Sequence, residues 1–146
     1  MEEGEYDELA ELMFEAYGTL HDGTIGAETR GDGLLCHETR ILCCLKRVGR
    51  MSPSKIADLL GLSRPQMSLL ADGLARRRLI ERKRDEADRR IVWIRITPAG
   101  EVALRGAIAA VGSRIRVLLY SLPPAEIMGI KASLERFASA LGGEGT

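Results

Sequence analysis

Residues 52–66 give the same folding instruction twice. Ser52-Pro53 and Ser63-Arg64-Pro65 each set a hydroxyl at a helix N-cap with a proline in the first turn behind it. Gln66 stands three residues after Ser63 and completes a capping box, Met51 can staple onto Ile56, and Leu62 can staple onto Met67. Gly61 stops the first helix after about two turns. Two short capped helices joined by Gly61-Leu62 form a helix-turn-helix, and few other arrangements tolerate two helix starts so close together.

The next thirty residues extend that pattern. Residues 79–84 and 91–96 are rich enough in β-branched residues, the second run especially, to pair as antiparallel strands around the loop 85–90, Asp-Glu-Ala-Asp-Arg-Arg. A helix-turn-helix followed by a hairpin with an arginine-bearing loop predicts a winged helix. In its second helix, Met67, Leu70 and Leu74 form the inward stripe, and Arg64, Gln66, Ser68, Leu69, Asp72 and Gly73 fall on or near the outward face.

Whole-chain charge is zero, but its distribution is not even. Residues 46–97 hold 14 Lys+Arg against 6 Asp+Glu, residues 1–45 hold 2 against 11, and residues 98–146 hold 5 against 4. The hairpin segment therefore attracts a polyanion locally, within a Debye length of about 8 Å, while the acidic end is expected to point away from it. Of the basic residues 17 are arginine and 4 lysine, and the planar arginine fork suits phosphate and guanine edges.

On either side the pattern is helical and apolar. Tyr6, Leu9, Met13, Tyr17 and Leu20 recur at spacings of three and four over residues 5–21, and the four glycines of residues 22–33 read as a flexible connection. Ile41, Leu45 and Val48 mark a second helix that Gly49 ends. Thr97-Pro98 opens a long helix carrying Val102, Ile108, Val111, Ile115, Leu118 and Leu119 to about Tyr120. Pro123-Pro124 interrupts it, and Ile127, Ile130, Leu134, Phe137 and Leu141 mark a last helix. These terminal helices carry more apolar surface than lone surface helices need, so they call for a partner.

With these residues in order, the chain resembles the MarR family of transcriptional regulators over essentially its whole length. The resemblance rests on Ser52-Pro53-Ser54-Lys55-Ile56-Ala57, on Leu62-Ser63-Arg64-Pro65-Gln66, and above all on Asp85-x-x-Asp88-Arg89-Arg90 followed by Ile96-Thr97-Pro98-Ala99-Gly100. It implies a mainly α fold with a small antiparallel β wing: one domain over residues 1–146, a winged helix-turn-helix lobe at 34–97, and dimerisation helices at 5–21 and 98–141. It further implies a homodimer reading a pseudo-palindrome in double-stranded DNA, half-sites about 34–36 Å apart, usually as a repressor.

Carried over residue by residue, the resemblance puts the helix from Arg64 to about Arg77 in the major groove. Arg64 suits guanine, Gln66 adenine, and Ser63 and Ser68 phosphate; Leu69 could meet a thymine methyl. The wing would enter or flank the minor groove with Arg89 inserted and Arg90 on phosphate or in an ion pair, and Arg84 joins the DNA-binding set. Asp72, Asp85 and Asp88 are expected to orient arginines. Arg76, Arg77, Arg78, Arg82, Lys83 and Arg84 form a solvated basic flank, and Trp93 packs against a strand. The chain departs from the family pattern at Leu69, where a basic residue is common, at Gly73, where a long polar one is, and at Arg78. A glycine usually ends the helix at that place in a left-handed turn, so here the helix is expected to stop in another way.

The remaining polar and sulfur-bearing residues bear on other functions. A small aromatic or phenolic effector would meet Tyr17, His21 and Arg40 between the dimerisation helices and the lobe. Redox sensing would fall on Cys36, at the start of a helix, while Cys43 and Cys44 look like small core residues. Three cysteines without a CxxC pair argue for reduced thiols, and Cys36, His37 and His21 make a poor metal set, so no metal or cofactor is expected. Two histidines with neither a nucleophile elbow nor a phosphate loop leave no catalytic constellation. The N-terminus lacks the basic start of a secretory signal and no apolar run spans a bilayer, which places the chain in the cytoplasm and off the membrane. A protein-interaction scaffold built on the winged helix is the alternative, motivated by Leu69 and Gly73.

Overall fold

The computed structural model describes the backbone of residues 3–28, 34 and 36–142, and the side chains of residues 4–19, 34 and 36–140. Six helices and a hairpin follow in order: α1 (Glu3–Glu28), α2 (Cys36–Val48), α3 (Pro53–Leu60), α4 (Arg64–Arg76), β1 (Ile80–Arg84), β2 (Val92–Ile96), α5 (Pro98–Leu118) and α6 (Pro124–Gly142). The mainly α architecture with a small antiparallel wing is the one expected. One boundary differs: the connection read as starting at Asp22 is helical as far as Glu28. A glycine inside a helix costs only about 1 kcal/mol relative to alanine, so Gly23 and Gly26 weaken the helix without ending it. Gly31 and Gly33 lie outside the described residues.

The caps act as the residue types dictate. Ser52 Oγ accepts from the Lys55 amide at 3.3 Å, and Gly61 at φ 64° closes α3 with the Leu62 amide bonded to the Ala57 carbonyl. Ser63 and Gln66 form the reciprocal capping box at 2.9 and 3.3 Å. At the other end of α4 the left-handed turn expected to be missing is present, because Arg78 itself takes φ 57°. The Leu79 amide donates to the Leu74 carbonyl and the Arg78 amide to that of Ala75, the same pair of hydrogen bonds that closes α3 around Gly61, now built on arginine.

These ends fold the apolar stripes inward. Ile41, Leu42 and Leu45 of α2, Ile56 and Ala57 of α3, Met67, Ala71 and Leu74 of α4, and Ile94 of β2 are buried together with Leu104 of α5. Ala71 is a core residue that the three-residue stripe read from sequence omits, while Leu70 is half-buried beside it. Strands β1 and β2 pair antiparallel from Ile80 with Ile96 to Arg84 with Val92, and Met51 bridges Ile94 to add a one-residue third strand. The α3–α4 pair is thereby fixed against the hairpin through one core.

The chain divides into two compact units, residues 1–111 and 112–146. In the first, α1 exposes Tyr6, Leu9, Leu12, Met13, Phe14 and Tyr17, and α5 exposes Val102 and Ile108. In the second, Val117, Leu118, Ile127, Met128, Leu134 and Phe137 are exposed. Among the described residues no helix is long and apolar enough to cross a membrane.

Candidate nucleic-acid interface

Helix α4 presents an outward stripe of Pro65, Ser68, Leu69, Asp72 and Arg76, all exposed. Several polar side chains near it are already engaged. Arg64 donates through Nη1 to Ser54 Oγ, with Nη2 at 3.9 Å from the Asp58 carboxylate, so its guanidinium lies back over α3. Gln66 Oε1 accepts the Ser63 amide. The Asp72 carboxylate takes an ion pair from Arg82 at 2.6 Å, as expected of an acid that orients an arginine. Gly73 is half-buried: a β-carbon there would sit 3.8 Å from Glu38 Oε1, so the position belongs to the α2 contact more than to the outward face.

The basic flank is less uniform than a solvated face. Arg77 pairs with Glu38 at 3.2 Å, and the Glu38 side chain is only 8% exposed, so this arginine ties α4 to α2. Lys83 pairs with Glu86 within the hairpin. Arg76, Arg78 and Arg84 are exposed and contribute general positive field.

The wing is held from its base. Asp85 Oδ1 accepts the amides of Ala87 at 2.9 Å and Asp88 at 3.0 Å, and its Oδ2 accepts the Trp93 indole N–H at 2.8 Å. Asp85 therefore orients a tryptophan and a turn, where an arginine was expected; strand pairing puts Trp93 within its reach, and the arginines of the loop point elsewhere. The Trp93 N–H and these backbone donors hold the Asp85 carboxyl below the usual carboxylate range. The Arg50 guanidinium stands 4.7 Å from the centroid of the half-buried Trp93 ring. Asp88 accepts the Arg90 backbone amide at 3.0 Å and its Nε at 3.2 Å, an ion pair within the wing that leaves the Arg90 side chain exposed. Arg89 is exposed and, among the described residues, has no hydrogen-bond or ion-pair partner.

Arg50 is not evident as a site residue in the sequence, because its partner lies 43 positions away across the hairpin. An arginine just past the Gly49 stop and a lone tryptophan in a strand are the only signals there.

The other candidates are dispersed. Tyr17 is exposed on α1 and Arg40 on α2, and the His21 side chain lies outside the described residues. Cys36 is half-buried at the first position of α2. Cys43 is exposed, against the expectation of a core residue, because Ile41, Leu42 and Leu45 fill the inward face of α2. Partial desolvation of its sulfur, and then Cys44, push its thiol pKa up.

Two capped helices, a bonded wing and a buried α2 beneath them define a winged helix-turn-helix protein. Residues 37–92 match the family model described as MarR family. Solved structures agree on the fold. A MarR family protein from Bacillus stearothermophilus is 22% identical, covers 97% of this chain and 99% of its own, and superposes with a TM-score of 0.75. The transcriptional regulator BldR from Sulfolobus solfataricus is 22% identical over 93% of this chain and 99% of its own, TM-score 0.71. BpsR from Bordetella bronchiseptica, whose DNA binding is regulated by 6-hydroxynicotinic acid, is 23% identical over 90% and 98%, TM-score 0.66. A sequence comparison with curated proteins finds no match. The chain has the fold of a MarR-family transcriptional regulator.

Proposed function

We propose that this protein is a sequence-specific regulator of transcription that binds double-stranded DNA as a homodimer on a pseudo-palindromic operator, and that it represses. The observation that carries the reading is the unpaired Arg89 at the tip of a bonded wing, on a segment with 14 basic against 6 acidic residues. A guanidinium with no partner among the described residues, on a turn stiffened by Asp85, loses little freedom on entering a narrow minor groove. Helix α4 lies in the major groove in this reading, with Ser63, Arg64, Gln66, Ser68 and Leu69 toward the bases and backbone and Arg84 and Arg90 toward phosphate.

Dimerisation is supported by the exposed apolar residues of α1, α5 and α6, which are too many for isolated surface positions. An aromatic or phenolic effector that releases the operator, meeting Tyr17, His21 and Arg40, is the regulatory part of the proposal. BpsR, with its 6-hydroxynicotinic acid, is a parallel for it. The reading assigns no catalytic step.

Selection from random duplexes with the purified chain, followed by titration of the enriched duplex at several salt concentrations, tests this. The expected result is an enriched pseudo-palindrome bound by one dimer with a steeply negative salt slope. No enrichment, or binding indifferent to salt, would overturn it.

A further inference from the structure

We infer that Leu69 reads the C5-methyl group of a thymine in the major groove, and that this apolar contact is the central element of base recognition by α4. The inference rests on the DNA-binding reading above and adds the chemistry of the contact. Three observations carry it. Leu69 is 69% exposed, more than any other large apolar residue exposed between positions 34 and 97, so the fold gives it no core to fill. It stands in the middle of the outward stripe, between Pro65 and Ser68 on one side and Asp72 on the other.

The third observation is that the polar candidates around it are committed to the protein. Arg64 is bonded to Ser54 and faces Asp58, Gln66 Oε1 holds the Ser63 amide, and Asp72 holds Arg82. A bidentate contact from Gln66 to adenine, or from Arg64 to guanine, would first have to break those bonds. Leu69 has nothing to break. Of the groups displayed on major-groove base edges, the thymine methyl is the apolar one, and a γ-branched side chain can cover it. The setting favours a polyanion over an apolar protein partner, since Arg64 and Arg76 lie at either end of α4 and Arg82 pairs with Asp72 on the same helix.

The test uses the intact protein and its enriched duplex, with each thymine of a half-site replaced in turn by deoxyuridine. That change removes one methyl and leaves base pairing alone. At one position per half-site the replacement should weaken binding about four-fold, and about fifteen-fold when made in both half-sites, the effect expected on losing burial of a methyl-sized group. The L69A protein, whose thermal midpoint should be unchanged because the side chain is exposed, should bind thymine and uracil duplexes equally. Leu69→Arg should also ignore the methyl, and should steepen the salt slope by about two units, one for each subunit of the dimer. A wild-type protein indifferent to uracil everywhere, or an L69A protein that suffers the same loss, overturns the assignment. Failure to enrich any duplex instead overturns the DNA-binding reading itself, so the two failures are distinguishable.

Discussion

The carbonyl of Arg78 accepts the Thr97 hydroxyl at 2.7 Å, and the same hydroxyl accepts the Gly100 amide at 3.0 Å. The left-handed turn that ends α4 is thus locked to the first turn of α5. Next to it the Leu79 carbonyl accepts the Thr97 amide at 3.1 Å and occupies the space that a β-carbon on Gly100 would need, with Ile96 Cγ1 only 2.8 Å from the same point. Gly100 is required by this close approach of backbone to backbone. Gly100→Ala is expected to cost about 3 kcal/mol, because neither the carbonyl nor Ile96 behind it can move without breaking the lock. Urea unfolding measures it, and a loss below about 0.5 kcal/mol would show that the packing is looser than this approach implies.

Arg78 takes a left-handed conformation that disfavours a side chain by about 1–2 kcal/mol. Arg78→Gly should therefore stabilise the fold by about 0.5–1 kcal/mol after the extra flexibility of glycine in the unfolded chain is subtracted. The urea midpoint should rise with an unchanged slope. A fall would mean that the arginine makes compensating contacts.

Arg77 and Arg76 are neighbours in sequence with different expected effects. Replacing Arg77 by alanine removes one ion-pair partner of Glu38, a buried carboxylate, and should cost about 1–3 kcal/mol, discounted because the arginine is 35% exposed. Arg76→Ala should stay within about 0.5 kcal/mol. Equal losses in the two variants would remove the structural role from the Arg77 pair.

The Asp85 carboxyl has its pKa held down in the folded protein, chiefly by the Trp93 indole and then by the Asp88 and Ala87 amides. A group depressed on folding contributes stability above its unfolded pKa of about 3.9, and that contribution is lost as pH falls through the lower folded value. The wing should loosen in acid, and Trp93, the only tryptophan, reports it by fluorescence. Asp85→Asn keeps an oxygen acceptor but does not titrate, so its emission should lose that acid step. An identical step in both proteins would assign it elsewhere.

Arg89→Ala should weaken operator binding by at least about 1–3 kcal/mol, and lower the salt slope by about two units, one for each subunit of the dimer, with no change in thermal stability. Arg89 has no partner among the described residues, so binding is the property that should change. Unchanged operator affinity would remove the wing tip from the interface.

Elements whose bonds are local were legible in the residues alone. Ser52, Gly61, Ser63 and Gln66 cap within three or four residues, and the β-branched content of the hairpin and the charge contrast of residues 46–97 need no knowledge of the fold. Leu69 could be named as an outward residue for the same reason, and so could Arg89. Which of the outward polar groups are already taken became visible in the folded chain and nowhere earlier. Arg64 is claimed by Ser54, Arg82 by Asp72, Arg77 by Glu38 and Trp93 by both Asp85 and Arg50, and these partners lie from 8 to 43 positions apart. The left-handed Arg78 belongs with them, since the Thr97 lock that holds it closes across the whole hairpin. A periodic pattern gives the face on which a side chain lies. Its partner depends on where chain segments distant in sequence cross, and burial of the shared core sets that crossing.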